Sequence, residues 1–211
     1  NRENTFISYY SYGSMLGLAL DLSLRENGLN LDHFMVLMWK KYGKTEISYT
    51  NENIHETLNT YAGKEFGNHF FNNYIYQSGM PDFKRLFKTV GIDLSTNSSK
   101  VDLGVYLRDG ILVSNPKNHA TAYNAHLQKG DKLIKIGNKT ISKDTDIHAL
   151  INTYKVNDQV NVVFERFGKT KTTTLSLQAD PSYSLLFMET DKKPLKKKEK
   201  THRENWLGEK K

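Results

Sequence analysis

The residues with the clearest chemical potential form the segment His55-Glu56-Thr57-Leu58-Asn59. A hydrolytic zinc site of the type that this segment resembles needs two histidines four residues apart on one helical face to bind the metal. It also needs a glutamate beside the first histidine as general base. Here Asn59, a poor zinc ligand, occupies the second histidine position. The other histidines show no metal-ligand spacing, and the chain has no cysteine. We therefore expect no complete zinc site in this chain, and we expect His55 and Glu56 to be surface residues of a helix.

Nucleophilic serine chemistry is not indicated either. The segment Tyr12-Gly13-Ser14-Met15-Leu16 lacks the second glycine of a nucleophile elbow, and glycine-rich phosphate-binding loops are absent from the sequence. The surrounding stretch, residues 7–18, is rich in tyrosine and glycine. Taken alone, it predicts the start of a core helix with aromatic packing.

Charge is concentrated at one end of the chain. Of the net charge of +7, residues 191–211 contribute +5, from nine Lys/Arg and four Asp/Glu. A basic tail on a nearly neutral body is not a folded basic face, which argues against nucleic-acid binding. No apolar run approaches the length of about 18 residues that a membrane span requires.

The elements that position these residues are predicted to be helical up to about residue 93. Apolar residues recur at helical spacing within residues 8–26, and Asn27-Gly28 is expected to end that helix. Further helices are expected at residues 31–41, capped by Asn30; at residues 51–61, capped by Thr50; in an aromatic-rich segment ending near Gly79; and at residues 82–90, with Pro81 in the first turn.

Residues 100–180 instead predict a small β-rich domain with one main helix. The expected elements are a strand at 105–107, an apolar run at 111–113, a helical patch at 122–127, a strand at 133–136 closed by the turn Gly137-Asn138, a helix at 144–154, and strands at 159–166 and 171–177 joined by Phe167-Gly168.

Residues 101–141 resemble a PDZ domain of the bacterial protease-associated type. A Leu-Gly loop precedes a strand, a small-residue helix leads to Gly130-Asp131, and a tight turn closes the next strand. The sequence departs from the pattern at His126, where a small residue is expected, and at the turn, which reads Gly137-Asn138 rather than Asn-Gly.

Over essentially the whole chain, the sequence resembles the glycyl aminopeptidase family of zinc metallopeptidases. The resemblance rests on residues 7–18, Leu20-Asp21-Leu22, residues 38–43, Tyr49-Thr50-Asn51-Glu52 and Pro81-Asp82-Phe83, on the PDZ-like residues, and on the closing segment 203–208. In that family the catalytic domain ends in such a helical region, and a PDZ domain follows it.

The resemblance implies one catalytic residue in this chain. A tyrosine at this point of the family reaches back to the zinc site and stabilises the oxyanion of the tetrahedral intermediate, a role that a phenol hydroxyl can fill by hydrogen bonding. Matching Tyr-x-x-Gly selects Tyr10, with Tyr9 as the reserve candidate. Tyr12 stands where related enzymes have lysine. The zinc ligands and the general base are expected upstream of this chain, so this chain alone is expected to be inactive.

The PDZ resemblance implies a second site. Backbone N–H groups around Leu103, Gly104 and Val105 are expected to receive the terminal carboxylate of a peptide that adds as an extra strand. Ile147 and Ile151 are the candidates for the wall of this groove. They could equally be core residues, and the groove could be filled by the protein's own chain.

The expected fold class is α+β in two domains. An all-α end of a peptidase catalytic domain occupies residues 1–94, a linker residues 95–100, a PDZ-like small barrel or sandwich residues 101–180, and a basic tail residues 181–211. We expect the C-terminal part of a zinc aminopeptidase, with zinc in the full-length parent and none bound here. The alternative is a non-catalytic scaffold built around the PDZ domain.

The expected partners are peptide substrates, peptide C-termini or an internal strand at the PDZ groove, and the missing N-terminal part of the catalytic domain. No nucleic-acid partner and no membrane span are expected. The resemblance indicates a periplasmic or exported bacterial protein.

Overall fold

A computed structural model describes residues 8–191 and 194–208, and the chain divides into two units. The helical unit comprises residues 8–95 and 185–208, and the sheet unit comprises residues 96–184. Strands β1 (Ile92–Thr96) and β10 (Tyr183–Phe187) pair with each other. Among the described helices, none is long and apolar enough to cross a bilayer.

The helical unit is built mainly from α-helices, two of which run directly into π-helical turns. Its helical elements are α1 (Tyr9–Glu26), α2 (Leu31–Met38), a π-helical turn (Trp39–Gly43), α3 (Asn51–Ala62), α4 (Lys64–Phe70), a second π-helical turn (Phe71–Ile75), α5 (Phe83–Thr89), a 3₁₀ turn (Met188–Asp191) and α8 (Lys197–Leu207).

Local capping chemistry explains most of these boundaries. The Asn30 side chain accepts a hydrogen bond from the His33 N–H at 2.8 Å, and Thr50 forms a reciprocal capping box with Asn53, as the sequence predicts. The expected place of Pro81 was wrong. Asp82 caps α5 by accepting from the Arg85 N–H, so the proline lies before the cap rather than in the first turn.

The sheet unit contains one larger antiparallel sheet with short helices. Its elements are β2 (Val101–Asp102), β3 (Leu107–Arg108), β4 (Ile111–Leu112), α6 (Thr121–Asn124), β5 (Lys132–Ile136), β6 (Lys139–Thr140), α7 (Ile147–Ile151), β7 (Gln159–Arg166), β8 (Lys169–Ser176) and β9 (Gln178–Ala179). The sheet order is β3-β4-β5-β7-β8, with β6 paired to β5, while β2 pairs separately with β9.

Both predicted hairpins are confirmed. Gly137-Asn138 joins β5 to β6, and Phe167-Gly168 joins β7 to β8 with Arg166 opposite Lys169. Three expectations differ from the structure: the first strand begins at Leu107 rather than at 105, the helix predicted at 144–154 is limited to the short α7, and the sheet is open rather than a barrel. The helix is short because Ser142 and Thr145 form a turn before Asp146, which caps α7.

Each unit has its own apolar core. In the helical unit the largest fully buried side chains include Leu22, Leu58 and Leu86, and in the sheet unit they include Ile136 and Leu175. Each such side chain contributes roughly 1.5–3 kcal/mol through removal from water. The π-helical turns that follow α2 and α4 bring Tyr42 and Phe71 into the core of the helical unit.

The C-terminal region combines its basic composition with a packed helix. Within the described residues after 184, α8 packs in the helical unit and brings Trp206 against its core. Arg203 fixes this helix by donating to the carbonyl oxygens of Val90 and Gly91 at 2.7 and 2.6 Å. Its guanidinium also pairs with Glu189 at 2.6 Å. The contacts of Arg203 with Val90 and Gly91 join residues more than 100 positions apart, so composition alone does not reveal them.

Candidate functional site

The candidate peptide-binding loop of the sheet unit turns at Gly104. This residue has a φ of +70°, a left-handed backbone conformation that residues with a Cβ rarely adopt. A Cβ at this position would also collide with the Cβ of Ala120. The loop therefore needs glycine for two independent reasons, one in its backbone and one in its packing.

The carbonyl groups of the loop are held by the fold behind it. The Leu103 carbonyl accepts from the Ala122 N–H at 3.0 Å, and the Gly104 carbonyl accepts from the Lys117 N–H at 2.9 Å. In a trans peptide the N–H points opposite to the carbonyl of the same plane. The N–H groups of Gly104 and Val105 consequently point away from these partners, and across residues 8–191 and 194–208 neither donates to another protein group.

A cavity of about 520 Å³ lies at this loop. Its lining brings together parts of the chain that are distant in sequence: the loop and strand entry, the following segment, and helix α7. The lining residues are Asp102, Gly104, Val105, Tyr106, Ser114, Asn115, Lys117 and His148. The loop backbone, Lys117 and Asp102 therefore share one concave surface, which offers a ligand backbone hydrogen-bond donors and charges of both signs.

The neighbouring strand offers main-chain pairing. Strand β3 stands at the end of the sheet order and pairs with β4, which leaves its other edge unpaired within the described part of the chain. Just before it, Tyr106 is anchored on the β4 side, since its N–H donates to the Ser114 hydroxyl at 3.0 Å and its carbonyl accepts from the Val113 N–H at 2.9 Å. An extended peptide can add to such an edge as an extra strand.

Helix α7 supplies the opposite wall. Asp146 caps it by accepting from the Ala149 N–H at 2.9 Å, and its second residue, His148, lines the cavity. The predicted wall residues Ile147 and Ile151 are 5% and 2% exposed and belong to the core cluster. Their contribution to the groove wall stays a prediction.

The predicted loop residues take part in both the core and the cavity. Leu103 and Val105 belong to the core cluster, and Gly104 and Val105 line the cavity. Sequence reasoning missed Lys117 and His148. His148 could have been found from its place one position after an apolar helix residue, but Lys117 lies in an irregular loop whose path no local pattern predicts.

The predicted oxyanion tyrosine lies in the helical unit. Tyr10 is in the first turn of α1 and is 74% exposed, and its ring centroid is 4.2 Å from that of Tyr9. A hydrogen bond with Tyr10 raises the pKa of the Tyr9 phenol above its ordinary value. Tyr12, in contrast, is tied into the unit by donating to the Tyr74 carbonyl at 3.4 Å. The catalytic assignment of Tyr10, with Tyr9 in reserve, stays a prediction.

The segment that resembles a zinc motif has a packing role in the structure. The His55 ring stacks on Phe71 with centroids 4.4 Å apart, and its Nε2 lies 2.9 Å from the Asn68 Oδ1. Asn59 donates to the same Asn68 oxygen at 3.1 Å. Within the described ranges, no three His, Cys, Asp or Glu side chains cluster in a way that could hold a metal ion. These residues therefore do not fit a zinc site.

Comparison with known proteins supports the sheet unit first. Residues 89–177 match the PDZ domain family. The chain is 31% identical over 90 residues to a serine protease Do-like HtrA of Lactococcus lactis, and 30% identical over 71 residues to one of Lactobacillus helveticus. These alignments cover 42% and 34% of this chain, and 22% and 17% of the relatives.

A solved structure extends the similarity to the helical unit. An aminopeptidase N family protein from Idiomarina loihiensis matches 98% of this chain with a TM-score of 0.78 and 23% identity. The match covers 37% of that protein, so this chain spans well under half the length of the proteins it resembles. The chain thus has a mixed helix and sheet fold in which a helical segment is followed by a PDZ domain.

Proposed function

We propose that this chain is the peptide-binding, C-terminal part of a peptidase and that its PDZ domain captures peptide ends. The observation that supports this most directly is the single cavity that joins the left-handed loop at Gly104 to His148 of α7. The outward N–H groups of Gly104 and Val105 would receive the terminal carboxylate. The Lys117 side chain, on the same cavity, would add a favourable charge.

The rest of the ligand would lie along the open edge of β3. Main-chain hydrogen bonds to this edge contribute affinity for any extended peptide, while side chains facing the cavity supply selectivity. Because the lining includes Ser114, Asn115 and His148, the groove offers polar as well as apolar contacts.

Peptide titration of the full 211-residue chain tests this proposal. A peptide with a free C-terminus should bind more tightly than the same peptide with an amidated end, and Lys117→Ala should reduce that difference. Lys139→Ala, which changes an exposed lysine outside this cavity, is the matched control. Equal affinity for the free and amidated peptides would refute carboxylate recognition.

The proposed parent enzyme is a zinc aminopeptidase of the glycyl aminopeptidase type. Support comes from the fold similarity over 98% of the chain, which includes the helical segment as well as the PDZ domain. Since the described residues do not fit a zinc site, the metal would be held by polypeptide outside this chain. In the parent, Tyr10 would place its exposed hydroxyl toward that polypeptide and donate to developing negative charge on the substrate.

Tyr10→Phe in the full-length parent tests this role. Removing a hydrogen bond made chiefly in the transition state should lower kcat by roughly 100-fold with little change in KM. Tyr183→Phe, which changes a similarly exposed tyrosine outside α1, is the matched control, and Tyr9→Phe tests the reserve candidate. Unchanged kcat in the Tyr10 variant would remove the assignment.

A second candidate is a PDZ domain from a serine protease of the HtrA type, and a third is a non-catalytic scaffold. The curated relatives with 30–31% identity favour the HtrA context, but they account for less than half of this chain. The parent coding sequence distinguishes the three. An upstream His-Glu-x-x-His motif supports the metallopeptidase, a serine protease domain supports the second, and neither supports the scaffold.

A further inference from the structure

The hairpin tip between β7 and β8 carries an aromatic residue in an unfavourable place. Phe167 has a φ of +52° and is 95% exposed. Together with Gly168, at φ +71°, it forms a two-residue connection of the type in which Asn or Asp normally occupies the first position. Neither backbone preference nor packing within the fold accounts for phenylalanine here.

Positive charge surrounds this tip. Lys169 follows the turn opposite Arg166, and Lys171 lies two residues further along β8 on the same face. Arg166 itself is committed to Asp131, at 2.7 Å, and to the His126 carbonyl, at 2.8 Å. These bonds hold the loop that contains Lys129 beside the tip.

Among the described residues named around the tip, two are acidic and each has a cation beside it: Asp131 pairs with Arg166, and Glu165 lies opposite a lysine. Glu165 is paired across the sheet with Lys132. Lys129, Lys169 and Lys171 therefore leave an excess of three positive charges around Phe167, and all three side chains are exposed. The tip therefore presents a protruding aromatic side chain surrounded by lysines. Such a surface is complementary to one that has negative charges at its surface and apolar groups below them.

We propose that the β7–β8 tip, with Phe167 as its anchor, docks on an anionic lipid surface. The phenyl ring would enter the interfacial region, while the three lysines would face lipid phosphates. A lipid surface accepts a single convex aromatic residue without a preformed pocket, whereas a protein partner would have to supply one. The peptide cavity does not include any of these tip residues, so this contact is independent of the proposed function.

Vesicle co-sedimentation of the full chain tests the proposal. The chain should sediment with vesicles of phosphatidylglycerol and phosphatidylcholine in equal amounts, and much less with phosphatidylcholine alone or at high salt. Phe167→Asn should weaken binding about tenfold or more, because it removes the ring that would enter the lipid interface. Lys169→Thr and Lys171→Thr should each weaken it about fivefold.

Three variants keep the test specific. Asn suits the left-handed turn position, so Phe167→Asn should unfold at the same or a higher temperature than the wild type. Phe167→Trp keeps an aromatic ring at the tip and should therefore bind the vesicles as the wild type does. Lys139→Thr removes a lysine at the opposite end of the sheet, beside Gly137, and should also bind like the wild type. Failure of the wild type to bind anionic vesicles, or undiminished binding by Phe167→Asn, would overturn the proposal. Phe167-dependent self-association without vesicle binding would also overturn it, in favour of a second copy of this chain.

Discussion

Replacing Gly104 by alanine should destabilise the PDZ domain and disable its groove at the same time. Two costs arise at this position. Holding an L-residue at φ +70° costs about 1–2 kcal/mol. The new Cβ would also overlap the Cβ of Ala120, and relief of such overpacking costs roughly 1–3 kcal/mol. The free energy of unfolding should therefore fall by roughly 2–5 kcal/mol.

A second substitution separates the two costs. Ala120→Gly removes the overlapping carbon but leaves the backbone conformation of residue 104 unchanged. The double variant should thus recover roughly 1–3 kcal/mol relative to the sum of the single variants, which is the coupling expected for residues in contact. Peptide binding should stay impaired in the double variant if strain at residue 104 redirects the N–H groups of the loop.

Urea unfolding followed by NMR signals from the central strand β7 gives the required assay. The signals of Val160 and Val162 report on the sheet unit, since both side chains are buried in its core. The two tryptophans, Trp39 and Trp206, belong to the helical unit and provide an internal control by fluorescence. A loss below about 0.5 kcal/mol for Gly104→Ala, or no recovery in the double variant, would refute the reasoning.

Two further predictions concern ion pairs. Arg166→Ala should lower the free energy of unfolding in urea by roughly 3–5 kcal/mol, because the Asp131 side chain is 1% exposed and would lose two hydrogen bonds of 2.7 Å. The Arg166→Ala/Asp131→Ala double variant tests whether the two residues interact directly. A loss of stability in the double variant that equals the sum of the losses in the single variants would contradict a direct pair. The hydrogen bond from Arg203 lowers the pKa of Glu189, so the pair stabilises α8 at neutral pH and this contribution is lost as the pH falls below the ordinary pKa of a glutamate carboxyl. Trp206 fluorescence should show this acid transition, and Glu189→Gln should remove it; persistence of the transition in the variant would assign it to another group.

Features set by neighbouring residues could be predicted well from the sequence. The caps at Asn30 and Thr50 follow from side chains that reach an N–H three residues ahead. The turn at Phe167-Gly168 follows from two alternating strands and a glycine. The expected helix at residues 144–154 was too long because apolar spacing does not register the turn that Ser142 and Thr145 form before Asp146.

Features that join distant residues could not be read in this way. His148 of α7 meets the Gly104 loop only after the sheet has formed, and Lys117 reaches the same cavity from an irregular segment. Arg203 of α8 donates to the carbonyl groups of Val90 and Gly91, which fixes where this helix packs. Composition gives the charge of such a segment but not the identity of its acceptors.

The sequence alone thus determined the helical first region and the PDZ-like order of loop, helix and turn. These are consequences of backbone preference and short-range hydrogen bonding, which act between neighbouring residues. The tertiary structure decided which side chains share the groove, which isoleucines are buried, and where the C-terminal helix packs. Those outcomes depend on contacts between elements far apart in the chain, whose geometry is fixed only when the two cores are assembled.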